Sequence, residues 1–197
     1  KDETEVDDKG NGADTPTDKP VIEHYYFNIY ASLVTPQDFD LNTIAQDCQT
    51  FEIEFVPYHL YHTDLYLDHT MNYREQVWVL SGSDCSAHIY REDKEKQCFY
   101  EESAAVQYFP ELCELSAIVM WIDIRNVDTA DGVKRVTAVG LESGVVQLSV
   151  VEFDVDTDKH VVTGLWRYDY DGPVLSCRLF TDQSASVLRD NEFKRKL

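Results

Sequence analysis

Several motifs are missing from this sequence, and each absence closes off a class of chemistry. No G-x-x-x-x-G-K-[ST] and no G-x-G-x-x-G occurs, so no glycine loop is in place to cradle a phosphate or a dinucleotide. No C-x-x-C occurs either. Ser81-Gly82-Ser83 lacks the strand–elbow–helix setting of a nucleophilic serine, and Cys113 with a distant histidine is not a pattern by itself. No apolar run reaches the roughly 18 residues of a membrane helix, and no stretch reads as a signal peptide. Basic side chains are scarce: 17 Lys and Arg stand against 37 Asp and Glu, a net charge of −20. Phosphate backbones and anionic bilayers repel such a chain, so nucleic acid is excluded as a partner. Basic partners or cations are favoured, and the plainest role of the acidity is to keep an exposed surface soluble.

What is present points to strands. Of 197 residues, 43% are hydrophobic and 12% aromatic, enough for a packed core. The 12 tyrosines suit a pleated surface. Five cysteines, at 48, 85, 98, 113 and 177, form an odd set and read as reduced thiols of a cytosolic protein. The chain opens on Lys1 rather than Met, so it is expected to be a fragment with the true N-terminus upstream.

The stretch Lys1–Pro20 is polar and acidic, and cannot bury enough surface to offset its ordering entropy, so it reads as disordered. Residues 21–182 read as the folded part, and 183–197 as a polar tail ending in Lys194-Arg195-Lys196. Within the folded part, Thr50–Phe55 alternates Phe51, Ile53 and Phe55 against Glu52 and Glu54, the period of a half-buried strand. Pro57 is expected to end it. Leu41–Cys48 reads as a short helical turn, and Ala104–Leu115 as at most a short helix interrupted at Pro110.

Gln76–Asp93 reads as a hairpin joined through Ser81-Gly82-Ser83-Asp84. Val136–Val151 reads as a second one, joined through Glu142-Ser143-Gly144. Strands are expected near 58–67, 76–81, 86–91 and 98–101, then near 116–125, 135–141, 145–153 and 161–168. Four short antiparallel strands, twice over, are the pattern of propeller blades. The expected fold is therefore all-β: a partial β-propeller of about two blades plus parts of two more. The earlier strands, 23–33 and 50–55, would close a preceding blade, and Val174–Phe180 would open the next. A two-sheet sandwich is the alternative. An incomplete propeller leaves bare sheet edges, so the isolated fragment is expected to be poorly soluble or loosely packed.

Several segments, in this order, resemble the kaptin family. They are FNIYASLV, FDLNTIAQDCQTFEIEFVPYHLYH, VWVLSGSDCSAHIYRED, FPELCELSAIVMWIDIRNV, LESGVV and DGPV, over roughly Phe27–Phe180. The resemblance implies a propeller similar to those of integrin α chains, with degenerate FG-GAP repeats. It implies a subunit of the KICSTOR assembly at the lysosomal surface, in the company of a second FG-GAP-type propeller, a large scaffold protein and the GATOR complex. There it would help restrain the TOR kinase complex when amino acids or glucose are scarce. It also implies an alternative: association with actin filaments at lamellipodia. Actin is itself acidic, which works against direct contact with this chain. A Ca²⁺-dependent adhesion domain is a further class suggested by the FG-GAP likeness.

The candidate sites each have a plainer reading. Asp154, Asp156 and Asp158 have the D-x-D-x-D spacing of a Ca²⁺ loop, but Lys159 and Leu165 stand where that loop needs Gly and Glu. A solvated acidic turn is the better account. Asp123, Asp128 and Asp131-Gly132 precede a strand much as an FG-GAP loop does, yet Arg125, Lys134 and Arg135 crowd them with positive charge, so Asn126–Lys134 reads as a degenerate loop. His59, His62 and His69, with Asp64 and Asp68, would need a turn to converge, because positions three apart on a strand face opposite ways. The pairs Glu52/Glu54 and Glu101/Glu102 read as strand-face or loop charges, and Lys194–Lys196 as a solvated end. Trp78, Trp121 and Trp166 read as blade packing. No catalytic, cofactor or metal residue is assigned, and the expected role is a non-catalytic scaffold.

Overall fold

A computed structural model describes residues 24–29, 48–68 and 73–180. Ten strands lie in them: β1 (Tyr25–Ile29), β2 (Gln49–Ile53), β3 (Pro57–Tyr66), β4 (Arg74–Gly82), β5 (Ala87–Asp93), β6 (Cys98–Glu101), β7 (Val119–Thr129), β8 (Gly132–Leu141), β9 (Val145–Asp154) and β10 (Lys159–Asp169). They form a two-stranded sheet, β1-β2, and two four-stranded sheets with the orders β3-β4-β5-β6 and β7-β8-β9-β10. Every neighbouring pair is antiparallel. Each four-stranded sheet is thus a simple up-and-down meander, and the two expected hairpins are its middle strands.

Alternation decides which face each strand buries. In β4, Val77 and Val79 point one way and Trp78 and Leu80 the other, because successive side chains leave a strand on opposite sides. Val77 and Val79 join Leu65 and Ile89, and meet Val119, Ile122, Ile124, Val139 and Leu141 of the second sheet. Phe109 and Leu112, from the connection between the sheets, complete that core. Leu80, Tyr90 and Phe99, on the opposite face of the first sheet, pack against Phe27, Ile29, Ile53 and Phe55. Phe27 and Phe51 stack at 4.9 Å, and each meets the Tyr90 ring edge-on at 4.7 and 4.8 Å. The first sheet is therefore covered on both faces.

The sheets meet most closely at their first strands, β3 and β7. Later strands step outward from that junction. This radial stacking is that of propeller blades, and the chain is an all-β partial propeller with a strand pair ahead of two complete four-stranded sheets.

The outer hairpins repeat one turn. Asp93 pairs with Cys98 and Asp154 with Lys159, closing loops of equal length. Each aspartate accepts the backbone N–H two residues on, from Glu95 at 3.1 Å and from Asp156 at 3.0 Å. Each loop then places a left-handed residue at its end, Gln97 (φ 54°) and Asp158 (φ 56°). Short polar side chains that bond their own backbone favour such turns.

Some boundaries differ from expectation. Asn126–Lys134 is not a loop: β7 and β8 run on to a tight turn, with Thr129 opposite Gly132. The polar residues there alternate along an exposed hairpin end, which composition alone mistakes for a loop. Pro57 opens β3 instead of merely ending β2, and proline is tolerated at a first strand position. Val174–Phe180 forms no strand among the described residues, although it lies against β7 and β8. Ala105–Tyr108 is a single α-helical turn, followed by a 3-10 turn at Pro110–Leu112, as the proline predicts. The expected helical turn at Leu41–Cys48 lies outside the described residues except for Cys48, as does the expected disordered head.

Gly144 is the turn position that tolerates no side chain. Its φ is +93°, and an added Cβ would approach the Tyr170 carbonyl to 2.4 Å. The same glycine's carbonyl accepts the Tyr170 N–H at 2.9 Å, which ties the exit of β10 to the β8–β9 turn. Gly144→Ala is expected to destabilise the full-length protein by about 1–3 kcal/mol, read as a lowered melting temperature in thermal denaturation.

Candidate functional site

The best-organised polar groups of this molecule sit where one sheet meets the next. The first group is built on the 3-10 turn. Glu111 is buried, and its carboxylate accepts Arg135 Nε at 2.8 Å and Arg135 Nη2 at 3.1 Å. Thr137 Oγ1 donates to the same carboxylate at 2.9 Å, and Gln147 Nε2 to the Glu111 carbonyl at 3.2 Å. Arg135 also donates to the Tyr108 carbonyl and lies 4.1 Å over the Phe109 ring. A buried pair survives only when its remaining donors and acceptors are met, and here they are.

A second group holds the other end of the connection. Arg91 donates to Glu75 Oε2 at 2.9 and 2.7 Å and to Glu102 at 2.9 Å. Its guanidinium stacks 4.2 Å from the Tyr108 ring. The segment from Glu102 to Leu112 is thus clamped by one arginine from each sheet.

The third group lies at the junction of the first strands. His59 Nε2 donates to the Ile122 carbonyl at 3.1 Å and Ser81 Oγ to the Val119 carbonyl at 2.8 Å, while the single proton of Tyr61 Oη is shared between the Ile124 carbonyl at 2.8 Å and the Asp123 carboxylate. Asn126 Nδ2 returns a bond to the Asp64 carbonyl at 3.0 Å. Asp123 is fully buried and accepts Tyr61 Oη at 2.9 Å and the Leu179 N–H at 2.6 Å. Burial holds the His59 imidazole below its ordinary pKa and the Tyr61 phenol above its own.

The residues singled out in the sequence are dispersed across this frame. Asp154 caps its own turn, accepting Asp156 N–H and Thr157 Oγ1, and the Thr157 bond lowers its pKa. Asp123 lies inside the junction, whereas Asp128 and Asp131 sit at the far hairpin end. His59 stacks on Trp121 at 4.3 Å and His62 lies against Trp78 at 4.7 Å, while Asp64 accepts Arg74 at 3.5 Å. His69 lies outside the described residues, as do Lys194–Lys196. No group of three or more His, Cys, Asp or Glu among the described residues is placed to hold a metal ion.

Ser81 is buried in the junction as part of β4, which runs on through Gly82, and Ser83 Oγ accepts the Val56 N–H at 3.0 Å, so the expected connection is strand up to Gly82 and turn only from Ser83. Cys113 donates to the Phe109 carbonyl at 3.4 Å, and burial raises its pKa. Cys177 is pushed up to about 11 by burial. Among the described residues Cys85, Cys98, Cys113 and Cys177 form no disulfide. Glu52 pairs with His24 at 2.6 Å, and Glu101 with His88 at 2.8 Å. A depression of about 260 Å³ is lined by Asp64, Arg74, Glu75, Gln76, Glu92 and Lys94, and a second of about 390 Å³ shares Glu75, Glu92 and Lys94 with it; both are lined by charges of both signs.

Sequence reasoning missed the Glu111–Arg135 group. A signal was there: Arg135, Thr137 and Val139 share one strand face, and Gln147 stands opposite Val139. A charge in register with a core valine marks a buried partner, but the partner's identity is not written in the local pattern.

These features define a class: a partial β-propeller whose ordered polar groups lock sheet to sheet. The particular family follows from comparison. The chain belongs to the kaptin family; the family model described as "KICSTOR complex protein kaptin" matches residues 15–196. The mouse (Mus musculus) KICSTOR complex protein kaptin is 28% identical over 166 residues, covering 84% of this chain and 36% of the mouse protein. The chain therefore spans little more than a third of that relative's length. No solved structure matches it.

Removing one member of the buried pair should be severe. Glu111→Ala leaves Arg135 uncompensated and is expected to cost about 3–5 kcal/mol in chemical denaturation of the full-length protein. The double variant Glu111→Leu/Arg135→Met should recover a large part of that loss. A double variant no more stable than the single one would show that the pair contributes more than the cancellation of its own charges.

His160 gives a pH dependence. Its Nε2 donates to the Tyr66 carbonyl at 3.0 Å, and burial, with Arg135 nearby, lowers its pKa below the ordinary 6.5. The unfolded chain takes up a proton more readily than the folded one, so stability is full above pH 6.5 and falls as pH drops below it. His160→Gln should flatten the melting-temperature profile between about pH 5 and 7.

Proposed function

We propose that this chain is part of a non-catalytic scaffold subunit of a KICSTOR-type assembly. In this reading the assembly restrains the TOR kinase complex when amino acids or glucose are scarce, at the lysosomal surface. The observation that carries it is the family match over residues 15–196, on a chain folded as rigid, internally locked sheets. The buried ion pairs support a scaffold: their charges are spent on one another within the fold, and two of them fasten the connecting segment to the first sheet at Glu102 and to the second at Glu111. A rigid surface of loops and strand edges suits partner contact, and function then rests on the sites it presents. The partners proposed are a second FG-GAP-type propeller, a large scaffold protein and the GATOR complex. Residues 21–182 are proposed as the sheet-bearing unit, with 1–20 and 183–197 outside it.

Affinity purification of the full-length protein from starved cells tests this. Co-recovery of KICSTOR and GATOR components is the expected outcome. Recovery of neither, with the bait folded and abundant, would sink the reading.

A further inference from the structure

The two four-stranded sheets end in outer strands of different character. β6 has four residues, and Gln49 occupies its outward backbone groups: Gln49 Oε1 accepts the Phe99 N–H at 2.7 Å and Gln49 Nε2 donates to the Phe99 carbonyl at 2.5 Å. One side-chain amide thus closes that edge as a neighbouring strand would. β10 has 11 residues, and among the described residues no strand lies on its outer side. Tyr170 N–H turns inward to the Gly144 carbonyl at 2.9 Å, and backbone groups alternate along an antiparallel strand. Trp166 and Tyr168 therefore bond β9, whereas Leu165, Arg167 and Asp169 direct their N–H and C=O groups away from the sheet. A long outer strand is a template for pairing, and proteins blunt such edges with shortness, proline or bulges. β10 contains no proline, and its one irregularity, between Val162 and Gly164, leaves residues 165–169 in regular register.

The surroundings of this edge select its occupant. Val161, Leu165, Tyr168 and Tyr170 are exposed along it, with Val155 in the turn before it. Apolar side chains at alternate positions of an added strand would cover them. Both ends are acidic: Asp154, Asp156 and Asp158 stand at the start, Asp169 and Asp171 at the finish. They outnumber Lys159 and Arg167, and Arg167 is already bonded to Gln147 Oε1 at 3.1 Å. A second copy of this chain laid on β10 in either direction would set acid against acid at both ends, with a net charge of −20 on each chain. A strand with Lys or Arg at its two ends meets the opposite charge at each.

We propose that the outer edge of β10 is a docking site for an extended segment of another protein, which joins the second sheet as a fifth strand. That segment carries apolar residues at alternate central positions and Lys or Arg at both ends. Backbone hydrogen bonds supply its affinity and the charged ends its selectivity. The edge rests on the fold; that a protein fills it rests on the scaffold reading above.

The test uses purified full-length protein and a synthetic peptide, Lys-Arg-Val-Thr-Val-Thr-Ile-Arg-Lys, beside a counterpart with Glu at its four charged positions. Amide hydrogen exchange is followed at Leu165, Arg167 and Asp169 by mass spectrometry with fragmentation. These amides are expected to exchange fast in the free protein and at least about tenfold slower with saturating basic peptide. The acidic counterpart should bind at least about tenfold more weakly. Leu165→Pro removes an outward N–H and leaves the β9 ladder intact, so it should abolish peptide binding with little change in melting temperature. Should that variant fail to fold, Leu165→Lys, which adds a repelling charge to the edge, should still weaken the basic peptide at least about threefold. Exchange that is already slow in the free monomer overturns the proposal, because the polypeptide then covers its own edge. Slowing that grows with protein concentration in the absence of peptide also overturns it and assigns the edge to a second copy. Equal binding of the two peptides, or no slowing at these amides with the basic peptide in excess, overturns it as well. Co-recovery of KICSTOR components from starved cells is a separate readout, so an edge that binds no peptide leaves the scaffold reading standing.

Discussion

The carbonyl edge of β7 has no strand beside it, and the structure depends on how that edge is satisfied. A first strand at the hub of a propeller cannot pair with its neighbour as one continuous sheet, because the two sheets are rotated apart. Its backbone groups still need partners. Here side chains supply them: His59, Tyr61 and Ser81 donate to three successive stations along β7. These bonds set the height of one sheet against the next. The apolar core between the sheets, being non-directional, could not fix that height alone.

The connection between sheets is held in a different way. The chain leaves β6 at the rim and must return to the hub, and it does so through a short helical turn and a 3-10 turn. Those few residues bury Phe109 and Leu112, and they carry Glu111 with them. The carboxylate is acceptable in that position because Arg135 and Thr137 meet it there. Arg91 grips the segment from the other side. Both guanidinium groups also lie flat on aromatic rings, Phe109 and Tyr108, which keeps them in place when water is excluded. Buried charge of this kind is weak support for stability by itself, but it selects one arrangement of the sheets over others.

In the scaffold role proposed for this chain, that selection matters more than any single pocket. The same inward-facing polar residues that could suggest chemistry, Asp123, His59 and Ser81, are occupied in joining sheets. The acidic turns at Asp93 and Asp154 are built by one recipe, in which a carboxylate caps its own loop and a left-handed residue closes it. Their likeness marks repetition of a structural unit. Membership of the kaptin family agrees with this picture, because the family is described as a complex subunit.

The sequence by itself determined the strands, their pairing into hairpins and the repeat. Alternation such as Phe51, Ile53 and Phe55 against Glu52 and Glu54, and a turn residue such as Gly144, are local signals with local causes. Pro110 likewise announced its broken helix. Tertiary structure decided the rest. Whether Asn126–Lys134 was loop or strand depended on the partner strand, not on composition. Whether Glu111 was a surface charge or a buried latch depended on Arg135, twenty-four residues away, and on the fold that brings them together. Trp121 could be placed in a strand from its neighbours, but its buried N–H, with no acceptor among the described residues, exists only because the sheets stack as they do. Burial and hydrogen-bond completion are properties of the assembled sheets, and no window of sequence contains them.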